Sequence, residues 1–331
     1  MGSARTQMYD LPSKRSVTQT YRSGVSLHSH TEHSRESLRG LPAYLESLPV
    51  LSYFLKREID RYRAKAGEIP DFSRGYWRGP VTARAAYDLE FGQIERLGLT
   101  PMVSLTDHDN IDAGLLLRAE TPDSGIPISV EWSLPFEKTY VHLGVHNMAH
   151  SRAVPCMQFM AEYTRAPRPQ ILRDFLEELA ADPAVLIVLN HPLWDMAGVG
   201  AATIREMILQ FLRTYKPLIH ALEINGFRSW EENLRVIRLG EEFALPVVAG
   251  GDRHGFEPNA MINLTRAACF AEFAEEVRVE QFSEIAILPQ YKEPLILRHF
   301  VTAWDIVREH PQLAERQLWI SRVYVLCDDG I

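Results

Sequence analysis

Cysteine is scarce in this chain of 331 residues. The three that occur, Cys156, Cys269 and Cys327, lie far apart and form no C-x-x-C pair. An odd number at such spacing argues against a disulfide framework and suits a reducing compartment. Long apolar runs are missing too. The most apolar short stretch, residues 184–189, falls far below the roughly 20 residues that span a bilayer. The first 24 residues are polar and hold no apolar h-region of a secretory signal. A cytoplasmic protein without membrane contact is therefore expected. Positive charge is not in excess either: the net charge is -8 and the pI about 5.9. An acidic surface disfavours a long nucleic-acid backbone interface. It leaves room for a small phosphorylated ligand held by metals or by a local arginine cluster. Internal repeats and low-complexity tracts are absent from the sequence. What is there is a globular balance, 46% hydrophobic and 24% charged residues. The length suits one large domain or two ordinary ones.

Apolar runs at 25–28, 101–105, 128–130, 140–145, 184–189, 219–224 and 246–249 read as strands. Helical periodicity marks 50–66, 83–97, 170–181, 202–214 and 230–243. Strands separated by helices predict an α/β fold with a largely parallel sheet. Runs without period-two alternation fit strands covered on both faces. Residues 1–24 read as a surface arm. Beyond about residue 265 the pattern weakens to one helix at 293–309 and a final strand-like ISRVYVLC.

The polar residues are distributed unevenly over these strands. The first ends in His28-Ser29-His30, the second in Thr106-Asp107-His108-Asp109, the third in Glu131. The fourth carries His142 near its middle and His146 at its end; the fifth ends in Asn190-His191-Pro192. The sixth carries Glu223 and ends in Asn225-Gly226, and the seventh ends in Gly250-Gly251-Asp252-Arg253-His254-Gly255. In a parallel barrel such ends share one rim, where active sites are built. Residues two apart on an extended strand face the same side, so His28 pairs with His30 and Asp252 with His254. Imidazole and carboxylate donors suit Zn, Mn or Fe, and mixed N/O sets often hold two or three ions.

On the segments LHSHTEHS, SLTDHD, ISVEW, VHLGV, LNHP, ALEINGFRSWEENLRVIRLGEEFALPVVAG and GGDRHG, in that order over residues 24–256, the chain resembles the polymerase and histidinol phosphatase (PHP) family. The resemblance implies a distorted (β/α)7 barrel of parallel strands with a helical insertion after the first strand. It also implies a cluster of two or three divalent ions and metal-dependent hydrolysis, most often of phosphoesters. It divides the chain into an N-terminal arm (1–24), a barrel domain (25–265, insertion at about 37–80) and a C-terminal extension (266–331) packing on the barrel. The ligands it implies are His28, His30, His108, Glu131, His142, His191, Asp252 and His254, with Glu131 bridging two ions. The family usually places an Asp or His five or six residues after the second histidine of the first motif. Here Arg35 and Glu36 stand there. Arg35 cannot bind a cation; Glu36 is the candidate to complete a third metal site, with His33 a nearby substitute, and the alternative for Glu36 is a helix-start residue capped by Ser34.

The mechanism so implied uses a hydroxide bridging two ions as nucleophile. Asp252 orients it and accepts its proton; His254, His33 or a water on the third ion protonates the leaving oxygen. Arg253 and Arg35 are the candidate phosphate-gripping cations, the alternative for Arg253 being an outward rim residue in a salt bridge. Asp107 is expected to support a ligand rather than bind metal. His146 and His150 are candidate rim residues; His220, His299 and His310 read as ordinary. The insertion at 37–80, rich in aromatics and cations, reads as a lid that sets substrate choice, or else as a hairpin packing on the wall or on another subunit. The expected substrate is a small phosphorylated metabolite or nucleotide. The alternatives are an exonuclease or phosphodiesterase that trims oligonucleotides, a hydrolase of a C–N bond, and a non-catalytic metal-binding module. Oligomerisation is left open.

Overall fold

The computed structural model describes residues 2–325 other than 4, 12–14, 41, 43–48, 138 and 197. Its strands, in chain order, are β1 (Gly2–Ser3), β2 (Thr6–Asp10), β3 (Ser23–Ser26), β4 (Glu36–Ser37), β5 (Gly75–Trp77), β6 (Thr100–Val103), β7 (Val130–Phe136), β8 (Thr139–His146), β9 (Leu186–Asn190), β10 (Ala221–Asn225), β11 (Val247–Gly250), β12 (Met261–Thr265), β13 (Ser283–Ile287) and β14 (Val323–Val325). The α-helices are α1 (Pro49–Ala66), α2 (Ala83–Glu95), α3 (Asp112–Glu120), α4 (His150–Arg165), α5 (Pro169–Ala180), α6 (Ala201–Tyr215), α7 (Trp230–Phe243), α8 (Phe270–Glu275) and α9 (Leu295–Val307).

Local sequence explains the helices that cover the sheets. A proline in the first turn opens α5, where a missing N–H costs nothing. Leu172, Phe175, Leu176 and Leu179 then recur on one face and are buried. α7 opens on Ser229, whose hydroxyl accepts from the Glu232 N–H, and Glu231 and Glu232 occupy its positive end. All residues of β9, β10 and β11 are buried, as expected of strands covered on both faces.

The sheets have the order β1-β2-β13-β12-β3-β6, β11-β10-β9-β8-β7 and β14-β5-β4. Parallel pairing joins β3 to β6 and β9 to β10 to β11. The α/β class with parallel strands is as the sequence indicates, but two features of the expected barrel differ. First, among the described residues no continuous ladder closes the strands into a barrel. The edge of β3 away from β6 is taken by antiparallel β12, with Val25 opposite Asn263. Only residues beyond β3 are free to meet the segment after β11, which they do at the single bridge Ser29–Arg253. A second single bridge, His108–Glu131, joins the two large sheets at the same end. Second, β8 runs antiparallel to both β7 and β9. The run read as a strand at 128–130 is the start of a β7–β8 hairpin, and Glu131 sits near its beginning.

The segment read as a surface arm is also corrected. β2 pairs in parallel with β13, Met8 opposite Ile285. Thr6 is fully buried, and its hydroxyl accepts from the Val247 N–H.

Candidate metal centre

Beyond β3 the chain stays extended, and His28 and His30 face the same side. Glu223 in β10 fixes the first ring: His28 Nδ1 lies 2.6 Å from Glu223 Oε2. With the proton there, His28 Nε2 turns its lone pair inward, 2.9 Å from Glu131 Oε2 and 3.1 Å from His30 Nε2. A carboxylate behind a histidine is the usual means of orienting a metal-binding imidazole. Gly250 makes room for that carboxylate, since a Cβ there would lie 2.3 Å from Glu223 Oε2.

Glu131 is fully buried at the centre, and its two oxygens face different neighbours. Oε2 lies 2.9 Å from His28 Nε2, 3.3 Å from His30 Nε2 and 3.3 Å from His108 Nδ1. Oε1 lies 3.1 Å from His142 Nδ1, 3.1 Å from His191 Nε2 and 2.9 Å from the Asn190 amide that donates to it. His142 reaches this point from the middle of β8 because the antiparallel hairpin carries it back across the sheet end. Asp252 has φ +52°, a left-handed conformation that Asp tolerates better than most residues. Its Oδ1 lies 3.5 Å from His30 Nε2.

Glu36 enters from β4. Its Oε1 is 3.4 Å from His30 Nδ1, and its Oε2 is 3.3 Å from His254 Nε2 and 3.7 Å from His108 Nε2. Nine side chains thus form four overlapping groups, His30–Glu36–His108–His254, His28–His30–Glu131, His28–His191–Asp252 and His108–Glu131–His142, the ligand atoms of each within 4.8 Å of one another. The fit to divalent ions follows from these donors. Imidazole nitrogens converge nose to nose, His142 Nδ1 and His191 Nε2 being 3.4 Å apart. His108 Nδ1 is buried with no hydrogen-bond partner. Six imidazoles and three carboxylates form the mixed N/O set that Zn, Mn or Fe takes.

Electrostatics keep the carboxylates ionised. Burial works to raise all three, but the surrounding imidazoles outweigh it and hold Glu131, Asp252 and Glu36 well below the usual range. Burial works to lower His254, yet Glu36 and Asp252 carry it up to about 9. Burial dominates at His108 and brings it down to about 4. Asp107, pushed by burial up to about 7, accepts from the backbone N–H and the hydroxyl of Thr31. It pins the loop that follows His30.

Arg253 is not a rim cation. It alternates with Asp252 and His254 and so points the other way, fully buried, 2.8 Å from Glu90 of α2. Its guanidinium also donates to the Gly255 carbonyl, and its full burial keeps it out of a substrate's reach. His33 is half-buried outside the four groups, among the charges of Glu32, Asp112, Arg316 and Arg78. Arg35 is exposed. His146 is no rim residue: it is buried under Phe270, 2.8 Å from the Ser104 hydroxyl. Sequence reasoning noted Glu223, Asn190 and Asn225 without giving them a role, and it missed Arg228. The Asn225 amide donates to Glu223 Oε1 and to Asp252 Oδ2. The Arg228 guanidinium lies 3.6 Å over the Trp194 ring, with Nη2 3.5 Å from Asp252 Oδ2. Its Nε is buried without a hydrogen-bond partner. The only sequence signal for it was its place just past the end of β10.

No protein-family model matches the chain, and no curated protein matches it significantly. Among solved structures, a Bifidobacterium adolescentis ATCC 15703 protein assigned as a metal-dependent phosphoesterase aligns with 17% identity and a TM-score of 0.36 over 55% of this chain and 85% of its own. An amidohydrolase from Chromobacterium violaceum, solved with bound sulfate and no metal, aligns with 13% identity and a TM-score of 0.40 over 92% of this chain and 99% of its own.

Proposed function

We propose that the chain is a metal-dependent hydrolase of the PHP type that cleaves a phosphoester of a small phosphorylated metabolite or nucleotide. The observation that carries this reading is Glu131, one buried carboxylate whose two oxygens each face a separate set of imidazoles. That is the arrangement a carboxylate shared by two cations requires. His28, His30, His108, His142, His191, Asp252 and His254 complete the ligand set, and Glu36 with His30, His108 and His254 forms the group for a third ion. When bound, divalent ions neutralise charge on the substrate and activate water for attack. Asp252, at the edge of the cluster, accepts a proton from that water on Oδ1. His254 donates a proton to the leaving oxygen when the Glu36 group holds no ion. Arg228, over the Trp194 ring and beside Asp252, grips a phosphate oxygen; Arg35, exposed at the margin, is the second cation. This anion grip favours a phosphoester over an amide.

A second reading rests on α1, which exposes Tyr53, Phe54 and Tyr62 beside Lys56, Arg57, Arg61 and Arg63. Such a surface suits stacked bases and phosphates, and so a phosphodiesterase that trims short oligonucleotides. Elemental analysis combined with a turnover screen of phosphomonoesters, dinucleotides and amides tests both. The expected result is at least two transition-metal ions per chain and phosphate release from a monoester that stops on chelation. Cleavage of dinucleotides alone favours the second reading. Turnover of amides alone, or one ion or fewer in protein never exposed to chelator, defeats both.

A further inference from the structure

The helix α9 is amphipathic in the inverted sense. Every exposed residue in it is hydrophobic: Ile296, Leu297, Phe300, Val301, Trp304 and Val307 are each 42% to 64% exposed. Its polar residues turn inward and are bonded. Arg298 donates to the Gly226 carbonyl, His299 Nε2 lies 3.1 Å from the Phe227 carbonyl, and Asp305 Oδ2 accepts from the Phe256 N–H at 3.1 Å. The Thr302 hydroxyl donates to the Arg298 carbonyl. At 100° per residue the six apolar positions share one face about 140° wide. Leu318 and Ile320 add 46% and 71% exposed side chains in the segment that Arg322 ties to the carbonyls of Ile306 and Arg308.

We infer that this face is the contact surface of a homodimer formed by two copies of α9 packed about a two-fold axis. Area is the first argument. The fractional exposures of the six helix residues correspond to roughly 700 Å² of side chain, beyond the ~300–600 Å² of the largest patch on an ordinary monomer. That area lies within the ~600–1,000 Å² per partner of a stable interface. Composition is the second. No residue exposed on α9 is charged, so nothing there selects a partner of opposite sign. An uncharged apolar stripe is complementary to itself, and a two-fold interface uses the same patch on both copies. Antiparallel packing sets Phe300 of one copy against Trp304 of the other and Leu297 against Val307. The same features disfavour a lipid surface, since an interfacial helix shows Lys or Arg beside its apolar face. The inward bonds of α9 reach the loops after β10 and β11, which carry Arg228 and His254, so the dimer braces the rim of the metal pocket.

Sedimentation of the full chain at micromolar concentration tests this. The wild type is expected at twice the 37.8 kDa chain mass. The double variant Phe300→Glu, Trp304→Glu is expected at the single-chain mass, with unchanged circular dichroism and metal content, because both side chains are exposed. A wild type that sediments as a monomer, or a double variant that remains a dimer, overturns the inference. So does a monomer that co-sediments with neutral or anionic phospholipid vesicles, which assigns the face to a bilayer. A monomer whose α9 amides lose hydrogen-exchange protection when residues 326–331 are deleted overturns it in favour of the chain's own end.

Discussion

Glu131→Gln keeps the size of the central side chain and removes its charge. The Asn190 amide can still donate to the remaining carbonyl oxygen, so the fold survives. An amide, however, offers one weak ligand atom where two cations need one each. The variant is expected to lose metal, read by elemental analysis, and to lose turnover by roughly three orders of magnitude. Wild-type activity would remove Glu131 from the site. Eight of the nine clustered residues were legible in the sequence as histidines and acids on or beside strand ends, which the fold gathers together; Glu36 was nominated only by its spacing in the motif that the family resemblance supplies. Arg253 was misread although period-two alternation already set it opposite Asp252 and His254; its partner Glu90 lies on a helix that the sequence did not pair with it. Arg228 was not legible, because an arginine in a loop shows its direction only once Trp194 lies beneath it. His146 was also misread, since the antiparallel course of β8 is not visible in its apolar run. Burial holds this ring's pKa down at about 3, so it stays neutral in the fold. In the unfolded chain it protonates below about 6.5. The unfolded state therefore binds the extra proton, and the fold loses stability as pH falls from 6.5 toward 3. His146→Asn lowers stability at pH 7.5 but flattens its pH dependence. Denaturant titrations are expected to show the loss between pH 7.5 and pH 5 reduced by about 2 kcal/mol. An undiminished loss would mean that the ring is charged in the fold.

At the scale of elements, the sequence pattern found α1, α2, α5, α6, α7 and α9 and missed three others, the six-residue α8 among them. α3 has nine residues, too short for a clear period. α4 carries Pro155 in its interior, which reads as a break in sequence. There the buried residues Ala153, Cys156, Met160 and Tyr163 hold the helix against the core in spite of the lost hydrogen bond. β2 was missed for another reason. Its polar residues hide a strand whose value depends on β13, about 280 residues later in the chain, and no local pattern shows a parallel pairing over that separation. Met8 decides between the two readings of this segment. It is 6% exposed and packs in the large core. Met8→Ala is expected to cost roughly 2–5 kcal/mol, seen as a lower denaturant midpoint at an unchanged m-value. A residue in a surface arm would change stability by about 0.5 kcal/mol or less.

Across the whole molecule, distant segments converge on Glu36. β4 pairs with β5, Glu36 opposite Trp77, and β5 pairs with β14, Trp77 opposite Val323. The far side of the insertion and the C-terminal strand thus hold the carboxylate that faces His30, His108 and His254. Trp77 continues the contact, its ring 6.3 Å from His254 and 5.3 Å from Trp319. Sequence could nominate Glu36 by type and spacing but not show what holds it. Arg322 locks the arrangement: it is 1% exposed and donates to the carbonyls of Arg78, Ile306 and Arg308. If Glu36 is the ligand of a third ion, Glu36→Ala removes that ion and leaves two, because His28, Glu131, His142, His191 and Asp252 are held by the segment after β3, by β7, by β8 and by the segments just after β9 and β11. Arg322→Ala tests the same ion from far away in sequence. It strands buried carbonyls, at about 1–3 kcal/mol each, and loosens β14 from β5 without touching a ligand. Its expected effect is selective: the third ion is lost to a weak chelator at a concentration that spares the other two. Elemental analysis of chelator-treated wild type, Glu36→Ala and Arg322→Ala reads the outcome directly. Equal loss of all three ions in Arg322→Ala would show that the C-terminal strand supports the whole fold rather than this carboxylate. Unchanged metal content in Glu36→Ala would defeat the trinuclear reading and leave Arg35 as the positive charge at that position.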